Sequence, residues 1–230
     1  KDGTIISMNS SKEILDGADL LIEGDRIERI FRGEASHEKD ADRVLDCEGK
    51  IIIPGLVSAH THLTGMFQRG LWDETSFESW SRRSAETEKA FGASAEDVYL
   101  IHSAACVELI RHGVTTVLNM FTIPSRSPQE CAASACRALF DTGIRGILAL
   151  SFKDQSPDNP DVVPDASVAD SWIDLAREVA RQSSSSGSRL SLMLAPSAPQ
   201  RCSDPLLMRC KEMAEELQVG IHTHLAETRR

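Results

Sequence analysis

Ile51 to Gly70 reads IIIPGLVSAHTHLTGMFQRG, and this stretch decides the fold. An apolar β-branched run passes through Pro54-Gly55 and leads to two histidines one residue apart, His60 and His62. A strand turns alternate side chains to one face, so both imidazoles can share a face, about 7 Å apart along the strand. Two neutral imidazoles so placed can converge on one metal ion, each at about 2.0–2.1 Å. Leu63-Thr64-Gly65 follow at once, as a strand passing into a loop reads. In parallel α/β folds sites are built at that end of a strand. An H-x-H pair alone is a weak signal, because many such pairs are surface histidines without a ligand role.

Before this stretch, residues 1 to about 50 read as short strands: Thr4–Met8, Ala18–Glu23, Arg26–Phe31 and Arg43–Cys47. Gly24-Asp25 between apolar runs is a hairpin signal. Such a β-layer is too short to bury a full core alone. After it, strands alternate with helices. Ser94, with Asp97 three residues on, starts a helix that runs to Arg111, with Val98, Ile101, Ala105 and Leu109 on one face. Gly113 stops it, and Val114–Met120 is a strand. Ser127-Pro128 opens a helix reaching Phe140 and ending at Gly143. Ile144–Ser151 is a strand, Asp154–Ala166 a Pro- and Asp-rich loop, Val168–Gln182 a helix and Ser183–Ser188 a connector. Arg189–Ala195, a helix from Ser203 to Leu217, and Gly220–Leu225 complete the series.

A β-layer followed by repeated strand–helix units predicts an α/β fold. It is the N-terminal part of a (β/α)8 TIM-type barrel, about five of eight strands, with a small β-sandwich appendage. The expected domains are 1–50, the β-sandwich portion, and 51–230, the first part of the barrel. A typical barrel needs about 250 residues, so the sequence is expected to be a fragment that starts inside a larger protein.

Composition narrows the function. With 41% hydrophobic and 26% charged residues the chain is ordinary globular protein. A formal net charge of −10, without a basic stripe, argues against nucleic-acid binding. No run is long and apolar enough to span a membrane. Six cysteines, none in a C-x-x-C pair, predict reduced, mostly buried thiols in a cytoplasmic protein.

The last strand carries a second pair, His222 and His224, in VGIHTHLAET. His224 lies nearer the strand's C-terminal end and is the better ligand. His222 sits one layer deeper and is expected to pack or hydrogen-bond. Glu227 falls just past the strand, where a carboxylate can shuttle protons beside a metal-bound water.

PGLVSAHTHL (54–63), QRGLWDETSFESW (68–80), HGVTTVLNM (112–120), APSAPQRCSD (195–204) and HTHLAET (222–228), in that order, resemble the amidohydrolase superfamily. The likeness is to its aminohydrolase and chlorohydrolase branch, which includes guanine, cytosine and S-adenosylhomocysteine deaminases and the triazine hydrolases. The resemblance implies that His60, His62 and His224 are metal ligands and that Glu227 protonates the substrate ring nitrogen. It implies that Arg69 and Trp80 lie near the substrate mouth. The implied cofactor is one divalent metal, zinc first and iron second. The family's further ligands, a histidine from a sixth strand and an aspartate from an eighth, are expected to lie outside this chain. Nucleoside deaminases of the branch carry a glutamate after the tryptophan for a ribose; Glu86 and Glu88 stand in that region without aligning cleanly.

The function so implied is metal-dependent hydrolysis of non-peptide carbon–nitrogen bonds, as hydrolytic deamination of a purine-, pyrimidine- or triazine-like N-heterocycle. One alternative is a chlorohydrolase-type triazine hydrolase with a different leaving group. Another is a non-catalytic half-barrel that binds or assembles. The expected partners are a small heterocyclic substrate and a second copy in a homodimer, and the fragment alone is expected to be inactive.

Overall fold

The computed structural model describes residues 1–33, 41–73, 75–122, 127–155, 166–183 and 189–227. The predicted Asp154–Ala166 loop and the Ser183–Ser188 connector fall largely outside them. The chain divides into two compact units, Lys1–Gly55 and Leu56–Arg230.

The first unit is a four-stranded sheet made of β1 (Gly3–Ile6), β2 (Ile14–Glu23), β3 (Arg26–Phe31) and β4 (Ile51–Ile52), in the order β3-β2-β1-β4. Gly24, at φ +60°, makes the β2–β3 hairpin that Gly24-Asp25 predicts. Arg43–Cys47 is not a strand. Its backbone is tied instead to the chain start, where Lys1 donates to the Leu45 carbonyl at 2.7 Å and Cys47 N–H to the Lys1 carbonyl at 2.9 Å. β1 spends its ladder on β2 and β4, leaving this segment no free edge there.

The second unit is a curled, all-parallel sheet in the order β5-β6-β7-β8-β9, part of a (β/α) barrel. Its strands are β5 (Leu56–Thr61), β6 (Val114–Thr122), β7 (Arg145–Phe152), β8 (Leu190–Pro196) and β9 (Gly220–Ile221). Among the described residues five α-helices intervene: α1 (Phe77–Phe91), α2 (Ala95–Arg111), α3 (Pro128–Thr142), α4 (Ala166–Ser183) and α5 (Asp204–Leu217). The predicted capping box at α2 forms: Asp97 N–H donates to Ser94 Oγ at 3.2 Å and Ser94 N–H to Asp97 Oδ2 at 2.9 Å. Gly143, at φ +80°, ends α3 where a side chain would be strained.

Period-2 alternation sorts the strand residues. On β6, Val117 and Phe121 face the main core with Val98, Cys106 and Leu139. Leu118 and Met120 face the inner layer with Ala149 and Ala195. Each large apolar side chain fully buried this way contributes about 1.5–3 kcal/mol. On the inner face, β9 lies so close to β8 that a Cβ at Gly220 would meet Met193 Cε at 2.5 Å. Five of the six cysteines are buried and all are free thiols.

Two further elements differ from the sequence reading. α1 was not legible, because the Ser81–Lys89 run is polar and none of the helix is fully buried. Ser76 caps it, accepting from Ser79 N–H, and Gly92 ends it at φ +57°. The last strand is shorter than Gly220–Leu225. Pro196 of β8 has no N–H to continue the ladder, which stops at Ile221. Beyond it, His222 N–H still donates to the Leu194 carbonyl at 2.8 Å and His224 N–H to the Ser197 carbonyl at 3.3 Å. Thr223 Oγ1 takes the Pro196 carbonyl at 2.7 Å.

Candidate metal centre

β5 and β9 are the outer strands of this sheet, yet its curl brings their C-terminal ends together. His62 Nε2 lies 3.2 Å from His224 Nε2, and His60 Nδ1 lies 2.8 Å from His222 Nε2. One nitrogen from each of His60, His62 and His224 falls within 4.8 Å of the others, a group that could hold a metal ion.

The tautomers follow from the partners. His62 Nδ1 is 2.8 Å from the Met120 carbonyl, and His224 Nδ1 is 2.8 Å from the Ser197 carbonyl. A carbonyl only accepts, so both Nδ1 atoms carry the proton and both Nε2 atoms present lone pairs. Those lone pairs face each other at 3.2 Å. Two acceptors at that distance repel unless a cation sits between them, and two nitrogens on one tetrahedral zinc lie about 3.3 Å apart. The donor set therefore fits a metal ion of the zinc type.

The electrostatics agree. Burial first, and then the neighbouring His224, push His62 down to about 4. His60 is lowered by burial and then by His224 and His222, against the pull of Glu227. Both rings are thus neutral near pH 7, the form that binds a metal. Asn119, fully buried in β6, fixes the chain after His62 by accepting from Leu63 N–H at 3.1 Å. A polar residue inside the apolar run Val117–Phe121 was the available signal for it.

The cluster opens on a cavity of about 370 Å³. Glu227 and Trp80 are among the residues that line it. Small hydroxyls from successive strand ends, Thr122, Ser151 and Ser197, line it too. They occupy the inner-face positions that continue Met120, Ala149 and Ala195. Arg69 does not reach this cavity. It lines a separate one of about 270 Å³ and donates from Nη1 to both carboxylate oxygens of Glu108 on α2, at 2.9 and 3.1 Å. The 3-10 turn Leu63–Gln68 after β5 swings Gln68 inward and Arg69 outward, so Gln68 is buried and Arg69 exposed.

Sequence reasoning left open the wall that α1 supplies. Glu88, with Gln68 and Ser84, lines the cavity, whereas Glu86 does not. Ser84 Oγ donates to Gln68 Oε1 at 2.6 Å, and Gln68 Nε2 approaches Glu88 Oε1 at 3.4 Å. Burial pushes the Glu88 carboxyl up, against Lys153 and the Gln68 amide.

Residues 51–230 match the amidohydrolase family. The chain belongs to that family. Among curated relatives, a 5-methylthioadenosine/S-adenosylhomocysteine deaminase of Symbiobacterium thermophilum is 33% identical over 99% of this chain and 48% of its own length. This amidohydrolase chain thus spans about half the length of the curated relatives it matches. Among solved structures, the atrazine chlorohydrolase of Arthrobacter aurescens TC1 complexed with zinc shares the fold, with TM-score 0.84 at 21% identity over 99% of this chain and 52% of that one. Guanine deaminase from C. acetobutylicum, with bound guanine, does so with TM-score 0.82 at 17% identity, over 98% and 52% of the two chains.

Proposed function

We propose that the protein carrying this chain is a metal-dependent hydrolase that deaminates an N-heterocycle. In this reading the chain supplies three of the metal's ligands, His60, His62 and His224, and the proton-transfer carboxylate, Glu227. The observation that carries it is the convergence of those imidazole nitrogens within 4.8 Å on a cavity that Glu227 also lines. Zinc is the first choice of metal and iron the second, since imidazole suits both.

When bound, the metal would supply Lewis-acid activation of a water molecule. The rest falls to side chains. His62 and His224 keep Nε2 turned to the cavity because their Nδ1 protons are held by carbonyls. Glu227 takes a proton from the water and delivers it to the ring nitrogen, then takes the second water-derived proton, from the hydroxyl now on the ring carbon, and passes it to the amino group. The water oxygen bonds to the ring carbon, the carbon–nitrogen bond breaks, and ammonia leaves. Trp80, against Phe77 at 5.9 Å between ring centroids, offers an aromatic face to the heterocycle. Glu88 and Gln68 offer a carboxylate and an amide to a hydroxylated substituent, which favours a nucleoside over a bare base. The relative named as a methylthioadenosine and adenosylhomocysteine deaminase supports the same choice.

The division at 1–50 and 51–230 into a β-sandwich portion and a barrel portion belongs to the proposal, as do a homodimer and the inactivity of this chain alone. Buried free thiols support a reducing, cytoplasmic location. Among the described residues no helix is long and apolar enough to cross a membrane. A net charge of −10 speaks against a nucleic-acid partner.

Metal analysis and ammonia release test the reading. About one zinc or iron per protein, with ammonia released from an aminopurine nucleoside, is the expected result. A folded protein with neither metal nor ammonia release overturns it. Halide release from a chlorotriazine, without deamination, would replace it with the chlorohydrolase reading.

A further inference from the structure

Each of the three clustered imidazoles has its Nδ1 engaged at 2.8 Å, but not by the same kind of partner. His62 uses the Met120 carbonyl of β6, and His224 the carbonyl of Ser197 just past β8, whose N–H is held by the Phe152 carbonyl of β7. His60 uses the Nε2 of another imidazole, His222. Among the described residues no carbonyl holds the His60 ring, which is largely exposed. Its orientation therefore depends on a side chain.

We propose that His222 is a positioning residue that holds His60 with Nε2 turned to the metal. The inference rests on the metal centre proposed above. If His60 donates its Nδ1 proton to His222 Nε2, its own Nε2 is left as the lone pair. His222 must then carry its proton on Nδ1, the one neutral tautomer that accepts at Nε2. The acceptor is well anchored: His222 N–H is bound to the Leu194 carbonyl at 2.8 Å. The two rings lie 5.0 Å apart, tilted by 32°, one from the end of β5 and the other from the end of β9. The contact thus links the first and fifth strands of the sheet, and the curl that assembles the ligands also sets the orientation of one of them. A histidine ligand's second nitrogen is commonly held in this way, and loss of the holder typically costs 10–100-fold in metal affinity.

The test uses the protein that carries this chain, with zinc alone as the probe, in competition with a chelator. His222→Phe keeps a ring but removes the acceptor; His222→Gln keeps an oxygen acceptor at similar reach. Zinc affinity is expected to fall about 10–100-fold in His222→Phe and to recover most of that loss in His222→Gln. The visible spectrum of the cobalt(II)-substituted protein should change in the Phe variant and return in the Gln variant. A His222→Phe protein that binds zinc as tightly as the unaltered one overturns the inference. So does a His222→Gln protein, folded by circular dichroism, that loses zinc as completely as His224→Ala, for then His222 would be a ligand. Absence of zinc from the unaltered protein fails the metal centre itself and is distinguished by that control.

Discussion

The chain carries the same tripeptide twice, His60-Thr61-His62 and His222-Thr223-His224, at the ends of the two outer strands of one sheet. In the first both imidazoles join the cluster; in the second only His224 does, and His222 turns to His60. The difference does not lie in the spacing. It lies in what each strand's neighbour offers. β5 pairs with β6 as far as Thr61, with a register shift between Ser58 and Thr61, and from there both His60 and His62 reach the cluster. Beside Pro196 the β9 ladder stops at Ile221, and the next backbone donors reach Leu194 and then Ser197. That slip carries His224 beyond the ring of His222 and into the cluster. Identical local sequence thus acquires two roles from its neighbours.

The largest expected effect breaks the cluster where the two copies agree. His62→Ala or His224→Ala should abolish stoichiometric zinc binding, a loss beyond the roughly 10–100-fold that a ligand's holder accounts for; elemental analysis after dialysis measures it. Glu227→Gln should reduce ammonia release about 10²–10⁴-fold while the metal stays bound. Loss of metal in that variant would show that the carboxylate holds the ion rather than moving protons.

A third experiment sharpens the contrast between clustered and solitary histidines. His102 on α2 is fully buried, its Nδ1 on the Val98 carbonyl at 2.8 Å, and burial pushes its pKa down to about 4. Unfolded, the imidazole takes up its proton near 6.5. As pH falls from about 6.5 to about 4 the unfolded state binds more protons than the folded one, so stability decreases through that window and levels below it. The contribution of His102 is up to about 3 kcal/mol. Denaturant midpoints across this range, with the metal removed, should fall less steeply for His102→Leu than for the unaltered protein, by about one proton. Equal slopes would show that His102 is not the group responsible.

A smaller effect separates Trp80 from Arg69, which the family resemblance placed together. Trp80→Ala removes an aromatic face of the cavity and should raise KM by about tenfold at most. Arg69→Ala breaks an exposed pair with Glu108 and should leave KM unchanged, with a stability loss within about 1 kcal/mol. A larger KM effect from Arg69 would place substrate in the second cavity.

Much of this was legible in the sequence because it is local. The α2 capping box, the Gly143 terminus and the β2–β3 hairpin follow from spacing and side-chain chemistry within a few residues. The H-x-H pairs and their placement at strand ends named the ligand candidates. α1 escaped because its polar run lacks a buried stripe, and Arg43–Cys47 misled because its apolar texture finds no open strand edge. The reach of Glu88, the exclusion of Arg69 and the pairing of His222 with His60 could not be read from spacing, since each depends on residues 20 or more positions away. The sequence alone determined most of the element types, the α/β class and the candidate metal ligands, because period, capping and donor chemistry are properties of short segments. Only the tertiary structure decided which of those donors meet. His60 and His222 are 162 positions apart, and the curl of a five-stranded sheet, set by strand twist and the packing of helices on its outer face, brings them into contact.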